Sequence, residues 1–358
     1  MIYRETGQYK SSYEADQQIF PIRLDRIAFA LTLLAAFLIV PFAINDYWEK
    51  MVFLPFLIFS LAAIGLNILT GYCGQLSLGS GGFMAVGAYS AYKLMTAFPE
   101  LSILVVIPFS GLMAAGVGML FGLPSLRIKG FYLAVATLAA QFFLIWLFNK
   151  VPWFYNYSAT GQITVPARDV FGLTITGPNA EPWATYLFCL IIVAVLAFAA
   201  KNMVRSKTGR SWMAIRDMDI AAEIIGVSPL ATKLSAFAVS SFYIGVAGAL
   251  YFMVWFGAVE PNEAFGINQS FFLLFVIIIG GLGSMLGSFL GAAFMVLMPI
   301  ALKNAMVGGL GMDTGLAKHI EVMLIGVLII FFLIVEPHGL ARLWTIVKEK
   351  LRTWPFPY

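Results

Sequence analysis

Apolar residues in this chain gather into long runs, and polar residues collect in the gaps between them. Ten runs stand out, at about 27–44, 51–70, 77–97, 101–123, 130–149, 183–200, 235–256, 269–283, 286–303 and 320–336. Several approach the ~20 residues that carry a helix across a bilayer, and Gly interrupts the third and the eighth. The pattern predicts an all-α, polytopic transmembrane helical bundle over residues 27–340. Polar tails flank it at 1–26 and 341–358, and the two long polar gaps fall at 150–182 and 201–234.

Composition narrows the class. Of 358 residues, 61% are apolar and 11% charged, whereas soluble domains run about half apolar and about a quarter charged. A soluble protein with a large core fails on the length of the runs. Lys and Arg in the gaps set the orientation. With both termini inside, the inner segments hold sixteen and the outer ones five, and Lys93 lies near the outer end of the third run. Both tails and 201–234 are therefore expected in the cytoplasm and 150–182 outside. The first 26 residues carry eight charges and no small-residue cleavage site, as a retained tail does. Two cysteines, Cys73 and Cys189, and two histidines, His319 and His338, match no metal-ligand spacing, so no metal site is expected.

Aromatic clusters at Tyr47-Trp48, Trp153-Phe154-Tyr155 and Trp183 mark the outer border. In the outer gap, Ile163-Thr-Val165 and Phe171-Gly-Leu-Thr-Ile175 are split by Pro166-Ala-Arg-Asp169 and predict a small hairpin. It either receives a soluble partner or is a solvated connector. Lys93 and Glu321 lie near run ends, and the deeper parts of the runs hold no ionisable residue of the Asp, Glu, Lys, Arg or His type. Each would cost at least ~2.5 kcal/mol mid-bilayer and is retained for a purpose such as a proton relay. A proton-coupled carrier is disfavoured, and the energy is expected to enter from outside the membrane.

Three glycine-bearing stretches follow. Residues 71–82 hold five glycines (Gly71, Gly74, Gly79, Gly81 and Gly82) between two apolar runs. Backbone this permissive is tolerated at membrane depth when buried in protein or lining a wet cavity. Asn67, Gln75 and Ser77 then either face a passage or accompany plain helix packing. Gly280-Gly281-Leu-Gly283 runs on to Gly287 and Gly291, and the spacing of four predicts that Gly283, Gly287 and Gly291 share one face for close helix approach. Arg127-Ile-Lys129-Gly130 anchors the inner end of a run bearing Thr137 and Gln141. Those two share a face and either line a path or make an interhelical hydrogen bond.

The gap 201–234 holds six of the Lys and Arg with Asp217, Asp219 and Glu223. Trp212, Ile215, Met218, Ala222 and Ile225 recur at helical spacing, and Arg216, Asp219 and Glu223 fall opposite. Asp219 is the expected N-cap, and Gly226 the stop with Pro229 beyond. A short inner-surface helix with a polar face for another molecule is predicted. A plain amphipathic helix resting on headgroups is the alternative, and the mixture of acids with bases argues against it.

At these residues the chain resembles the LivM type of bacterial branched-chain amino acid ABC permeases. The matching stretches are Gly71-Tyr-Cys-Gly-Gln-Leu-Ser-Leu-Gly79, Arg127-Ile-Lys-Gly-Phe-Tyr-Leu-Ala-Val-Ala-Thr-Leu138, Gly209-Arg with Ala214-Ile-Arg-Asp-Met-Asp-Ile-Ala-Ala-Glu223 and Gly226, Lys233-Leu-Ser-Ala-Phe237, Ala247-Gly-Ala-Leu-Tyr251 and Ile279-Gly-Gly-Leu-Gly-Ser284. They run in matching order over roughly residues 51–340. The resemblance implies a vitamin-B12-permease-like helical arrangement in a bacterial inner membrane. It also implies two cytoplasmic ATPase subunits, a second permease of the LivH type and a periplasmic substrate-binding protein. The family's ATPase-coupling motif falls on Arg216, Asp219, Ala222, Glu223 and Gly226. Where many members have His-Ala-Ala-Phe, this chain has Ser80-Gly-Gly-Phe83, and related permeases carry urea, short amides or aromatic acids.

The chain has no Gly-x-x-x-x-Gly-Lys-Ser/Thr loop, so no cofactor is expected in it and ATP would be bound by the partner subunits. No nucleic-acid partner and no catalytic residue are expected, since no His/Asp/Glu cluster or activated Ser or Cys points to an enzyme. A stand-alone secondary transporter or channel is the alternative class, and it would move solute in vesicles without ATPase subunits.

Overall fold

A computed structural model of the chain describes residues 11–12, 23–125, 131–170, 172–177, 180–336 and 338–353. The basic anchor Arg127-Ile-Lys129-Gly130 and most of the 1–26 tail lie outside the described residues. The helices are α1 (Asp25–Ala43), α2 (Asp46–Tyr72), α3 (Ser80–Ala97), α4 (Ile103–Leu123), α5 (Tyr132–Lys150), α6 (Pro182–Arg205), α7 (Lys207–Ile224), α8 (Pro229–Phe256), α9 (Pro261–Gly280), α10 (Met285–Gly309), α11 (Thr314–Val335) and α12 (Gly339–Thr353). Among the described residues, nine helices, all but α3, α7 and α12, are long and apolar enough to cross a membrane. The chain is a polytopic helical bundle.

The third run forms α3, and its polar content has a structural reason. Ser90 and Lys93 would be costly against lipid, but α3 is enclosed by α4, α5, α8 and α9. With α2 and α8, which are almost wholly buried, it makes the centre of the bundle. Backbones touch there: a Cβ on Gly87 of α3 would run into the Gly245 carbonyl of α8. Such contact brings dispersion gain without the side-chain entropy that a larger residue would lose. The perimeter is the reverse. α1 buries little of its surface, and α11 shows Ile334 and Met323 to the surroundings.

Three expectations need correction. α2 begins at Asp46, so Glu49 is buried near one end of a span and does not lie in a solvated gap. The gap 150–182 holds β1 (Ile163–Thr164), β2 (Arg168–Val170) and β3 (Leu173–Thr176), but β1 pairs with β4 (Ala258–Val259), and the hairpin is β2 with β3. Pro166 cannot donate to a ladder, and the turn forms instead at Gly172, where φ is +81°. Gly283 stands outside α10, in the turn after α9 at φ +73°, so it does not share a helical face with Gly287 and Gly291. Those two do meet α9. A Cβ on Gly280 would strike the Gly287 carbonyl, and one on Gly291 the Val276 carbonyl.

Candidate functional site

Two chain breaks lie against each other on the α7 side of the bundle. The first follows α2, which ends in a widened turn with the Cys73 N–H on the Ile68 carbonyl at 3.2 Å; such turns recur at functional positions. Residues 73–79 then run without helix until α3 starts at Ser80. The second break is Gly281–Ser284, between α9 and α10.

Asn67 ties the two together. It is fully buried, its Nδ2 donates to the Ser284 carbonyl at 2.9 Å and to Ser288 Oγ at 3.0 Å, and its Oδ1 accepts from Gly283 N–H at 2.8 Å. One amide side chain thus satisfies groups that would otherwise be stranded in an apolar interior.

Thr137 and Gln141 do the same at the start of α3. A helix leaves its first N–H groups unpaired, and Gly79, before the first turn, offers no side chain to cap them. Thr137 Oγ1 accepts from Leu78 N–H at 2.9 Å. Gln141 Oε1 accepts from Gly82 N–H and from Ser270 Oγ, and Ser270 Oγ accepts from Gly81 N–H at 2.8 Å. Gln141 Nε2 donates to the Phe265 carbonyl at 2.7 Å. All three side chains are buried. A Cβ on Gly81 would lie 2.8 Å from the Phe265 carbonyl, so glycine here lets α3 and α9 approach. Ser77 is buried, and Gln75, half-buried, donates to the Cys73 carbonyl at 3.3 Å.

α7 covers these breaks. Trp212 is fully buried, with Nε1 donating to Ser235 Oγ at 2.9 Å, and Ile215 and Ala222 are buried beside it. The predicted stripe is interrupted at Met218. Met218 adopts φ −162° and ψ 104°, so the helix kinks and loses phase, leaving Met218 and Ile225 exposed where burial was expected. Beyond the kink Asp219 pairs with Lys233 at 3.4 Å. Gly226, at φ +90°, ends the helix as expected, its N–H on the Glu223 carbonyl at 3.0 Å and the Val227 N–H on the Ala222 carbonyl at 2.9 Å.

Arg216 points inward. Its Nη1 donates to the Gly71 carbonyl at 3.2 Å, and Asp217 holds the same guanidinium through Nε and Nη2 at 2.9 Å. Gly74 has φ +70°, and a Cβ there would sit 3.0 Å from Arg216 Cγ. The five coupling candidates thus divide: Ala222 is buried and Asp219 half-buried, Arg216 is exposed but reaches the Gly71 carbonyl, and Glu223 and Gly226 are exposed. Around Glu223, Met218, Ile220, Ile224 and Ile225 form an apolar knob, with Ile224 82% and Ile225 75% exposed. Sequence reasoning missed Ser270, Ser284 and Ser288. Ser284 carried a signal, since a Ser directly before an apolar run is an N-cap pattern, and its Oγ does accept from Gly287 N–H at 3.1 Å.

At the opposite end, Arg168 donates from Nη1 to the Pro99 carbonyl and from Nη2 to the Met95 carbonyl at 2.8 Å, capping α3. Lys93 binds Asn156 and lies 4.1 Å from the Trp153 ring centre. A cavity of about 590 Å³ opens there between α3, α4 and α5, walled by Tyr89, Met113, Leu144 and Phe148.

Residues 50–333 match the family described as branched-chain amino acid transport system / permease component. The chain is 31% identical over 304 residues to the high-affinity branched-chain amino acid transport system permease protein LivM of Escherichia coli, covering 79% of this chain and 68% of that protein. The LivM of Salmonella typhimurium is 30% identical over the same shares of both chains. A probable LivM of Methanocaldococcus jannaschii is 22% identical, over 85% of this chain and 96% of its own length. No solved structure matches. With its bundle and its matched residues, the chain belongs to the permease component family of branched-chain amino acid transport systems.

Proposed function

We propose that this chain is the membrane-spanning subunit of an ATP-driven importer that moves branched-chain amino acids, or a closely related small solute, across a bacterial inner membrane. The observation that carries the reading is the double attachment of α7. Its outer side offers an apolar knob around Glu223, and its inner side holds the Gly71 carbonyl through Arg216.

On this reading a cytoplasmic ATPase subunit seats the knob in a groove. Burying a side chain such as Ile224 stabilises the contact by about 2 kcal/mol. When two such subunits close on ATP, the segment from Asp219 to Gly226 moves with them, and Arg216 carries the motion to the breaks at 71–79 and 281–284. The packed helices then switch a passage between the two membrane faces. Asn67, Gln75, Ser77, Thr137 and Gln141 hold the breaks closed, and they border the passage once the breaks part. A second permease subunit of the LivH type completes the passage, a periplasmic binding protein delivers the solute near 150–182, and ATP stays on the partner subunits.

Co-purification with the ATPase subunits tests the docking. Glu223→Arg is expected to lose the complex while remaining folded in the membrane, and an unchanged complex with unchanged uptake removes the assignment. For orientation, a reporter active only in the periplasm is expected to work within 155–180 and to stay silent at 215; the opposite result inverts the topology.

A further inference from the structure

The coupling reading leaves α12 without a task, although its surface is the most amphipathic among the described helices. At helical spacing Leu340, Leu343, Trp344, Val347 and Leu351 fall on one stripe, and Lys348 and Lys350 lie on its two borders. A helix packed into a core would hide such a stripe. Here Leu343, Trp344, Val347 and Leu351 each remain 39–45% exposed.

The position of α12 says what the stripe meets. Its first residue, Gly339, is pressed against the break after α9, where a Cβ would lie 2.6 Å from the Ile279 carbonyl. Lys348 pairs with Asp25 of α1 at 2.9 Å. The helix is thereby held across the feet of α1, α9 and α10, on the same side as α7. The faces of α1 above it are apolar and open, so the stripe begins where the hydrocarbon slab ends. The sequence of α12 carries Arg342, Lys348, Lys350 and Arg352 against Glu349 alone, and with Glu336 beside Arg342 and Asp25 beside Lys348 one positive charge remains in excess.

We propose that α12 is an interfacial helix that seats on anionic phospholipid, its stripe in the acyl border of the leaflet on the α7 side and its cations at the phosphates. Long Lys and Arg stems lie along apolar surface while their heads reach the headgroup layer, and the basic balance of α12 suits that layer. Anionic lipid should therefore strengthen the seating.

The full-length chain, with Cys73 and Cys189 replaced by Ser, is reconstituted in phosphatidylcholine vesicles with and without phosphatidylglycerol. A nitroxide is attached at Val347→Cys or, as a control on the far face, at Thr345→Cys. At Val347 oxygen is expected to reach the label several-fold better than water-soluble nickel, most clearly with phosphatidylglycerol, and at Thr345 the order should reverse. Arg342→Glu with Lys350→Glu should abolish the gain from phosphatidylglycerol. If the Val347 label perturbs the helix, quenching by brominated lipid, compared between the unaltered chain and Trp344→Phe, reads the same contact. Preferential nickel access at Val347 in both vesicles overturns the proposal. Protection that appears only when ATPase subunits are added also overturns it, by assigning the stripe to a protein partner.

Discussion

Arg216 and Gly71 join the exposed α7 to the buried end of α2: Nη1 donates to the Gly71 carbonyl at 3.2 Å, through a gap that two neighbouring glycines keep open. The donor is charged and the acceptor is a helix-terminal carbonyl, so the bond opposes two helix positions without needing an apolar surface between them. A contact of this kind transmits displacement as well as holding position, because the guanidinium cannot leave without stranding the carbonyl.

Replacing Arg216 by Lys tests that link. A lysine keeps the charge but loses the fork that serves Gly71 and Asp217 together. Hydrogen bonds to charged groups contribute about 1.5–3 kcal/mol when shielded. The Arg216 side chain is 38% exposed, which reduces the figure to about 1 kcal/mol, roughly fivefold in a coupled equilibrium. Solute uptake by the assembled transporter is expected to fall about fivefold, with ATPase co-purification unchanged. Uptake at the unaltered level would remove Arg216 from the transmission path.

The bundle was legible because its signal is collective: runs of apolar residues outvote any single position. The clamp was only half legible. Thr137 and Gln141 were visible as polar residues sharing a face, but their partners Leu78, Gly82 and Phe265 are backbone groups, which every sequence position carries alike. The stripe on α7 failed at Met218 for a related reason. Periodicity assumes one continuous helix, and nothing in the local composition announces an extended residue within it.

Gln141→Leu should be among the most destabilising single changes in the transmembrane region. The substitution leaves the Gly82 N–H and the Phe265 carbonyl without the partner they now have, inside a buried site. Each stranded group costs about 1–3 kcal/mol. Thermal unfolding in detergent should show a clearly lowered midpoint, whereas Gln75→Leu, which removes one long hydrogen bond at a half-buried position, should shift it little. Equal effects at the two sites would contradict the capping role of Gln141.

Gly226→Ala places a Cβ at φ +90°, although no atom lies within 4 Å of it. The cost is therefore conformational, about 1 kcal/mol, and falls on the terminal turn that presents Ile224 and Ile225. Affinity for the ATPase subunits, measured by titration in nanodiscs, should weaken about fivefold. Fold stability should stay nearly constant, since this turn is exposed. A large loss of stability without loss of affinity would argue that the turn belongs to the core.

Cys73 reports on the break itself. It is buried under α7, and burial pushes its thiol from 9.0 up to about 12 even with Lys233 pulling the other way. Because the thiolate is the reacting form, roughly a thousandfold less of it is present at pH 8 than for an ordinary thiol. In Cys189→Ser, maleimide labelling of Cys73 should therefore be slow and should keep rising with pH well beyond 9, where an exposed thiol levels off. The fold resists this reaction only while the 73–79 segment stays covered. Trapping the ATPase subunits in their ATP-bound closed state should uncover it, and labelling at pH 8 should then accelerate by at least tenfold, on the order of one unit of restored acidity. Labelling that stays equally slow in the trapped and resting transporter would show that motor closure does not open the first break, and would leave Arg216 as a static brace.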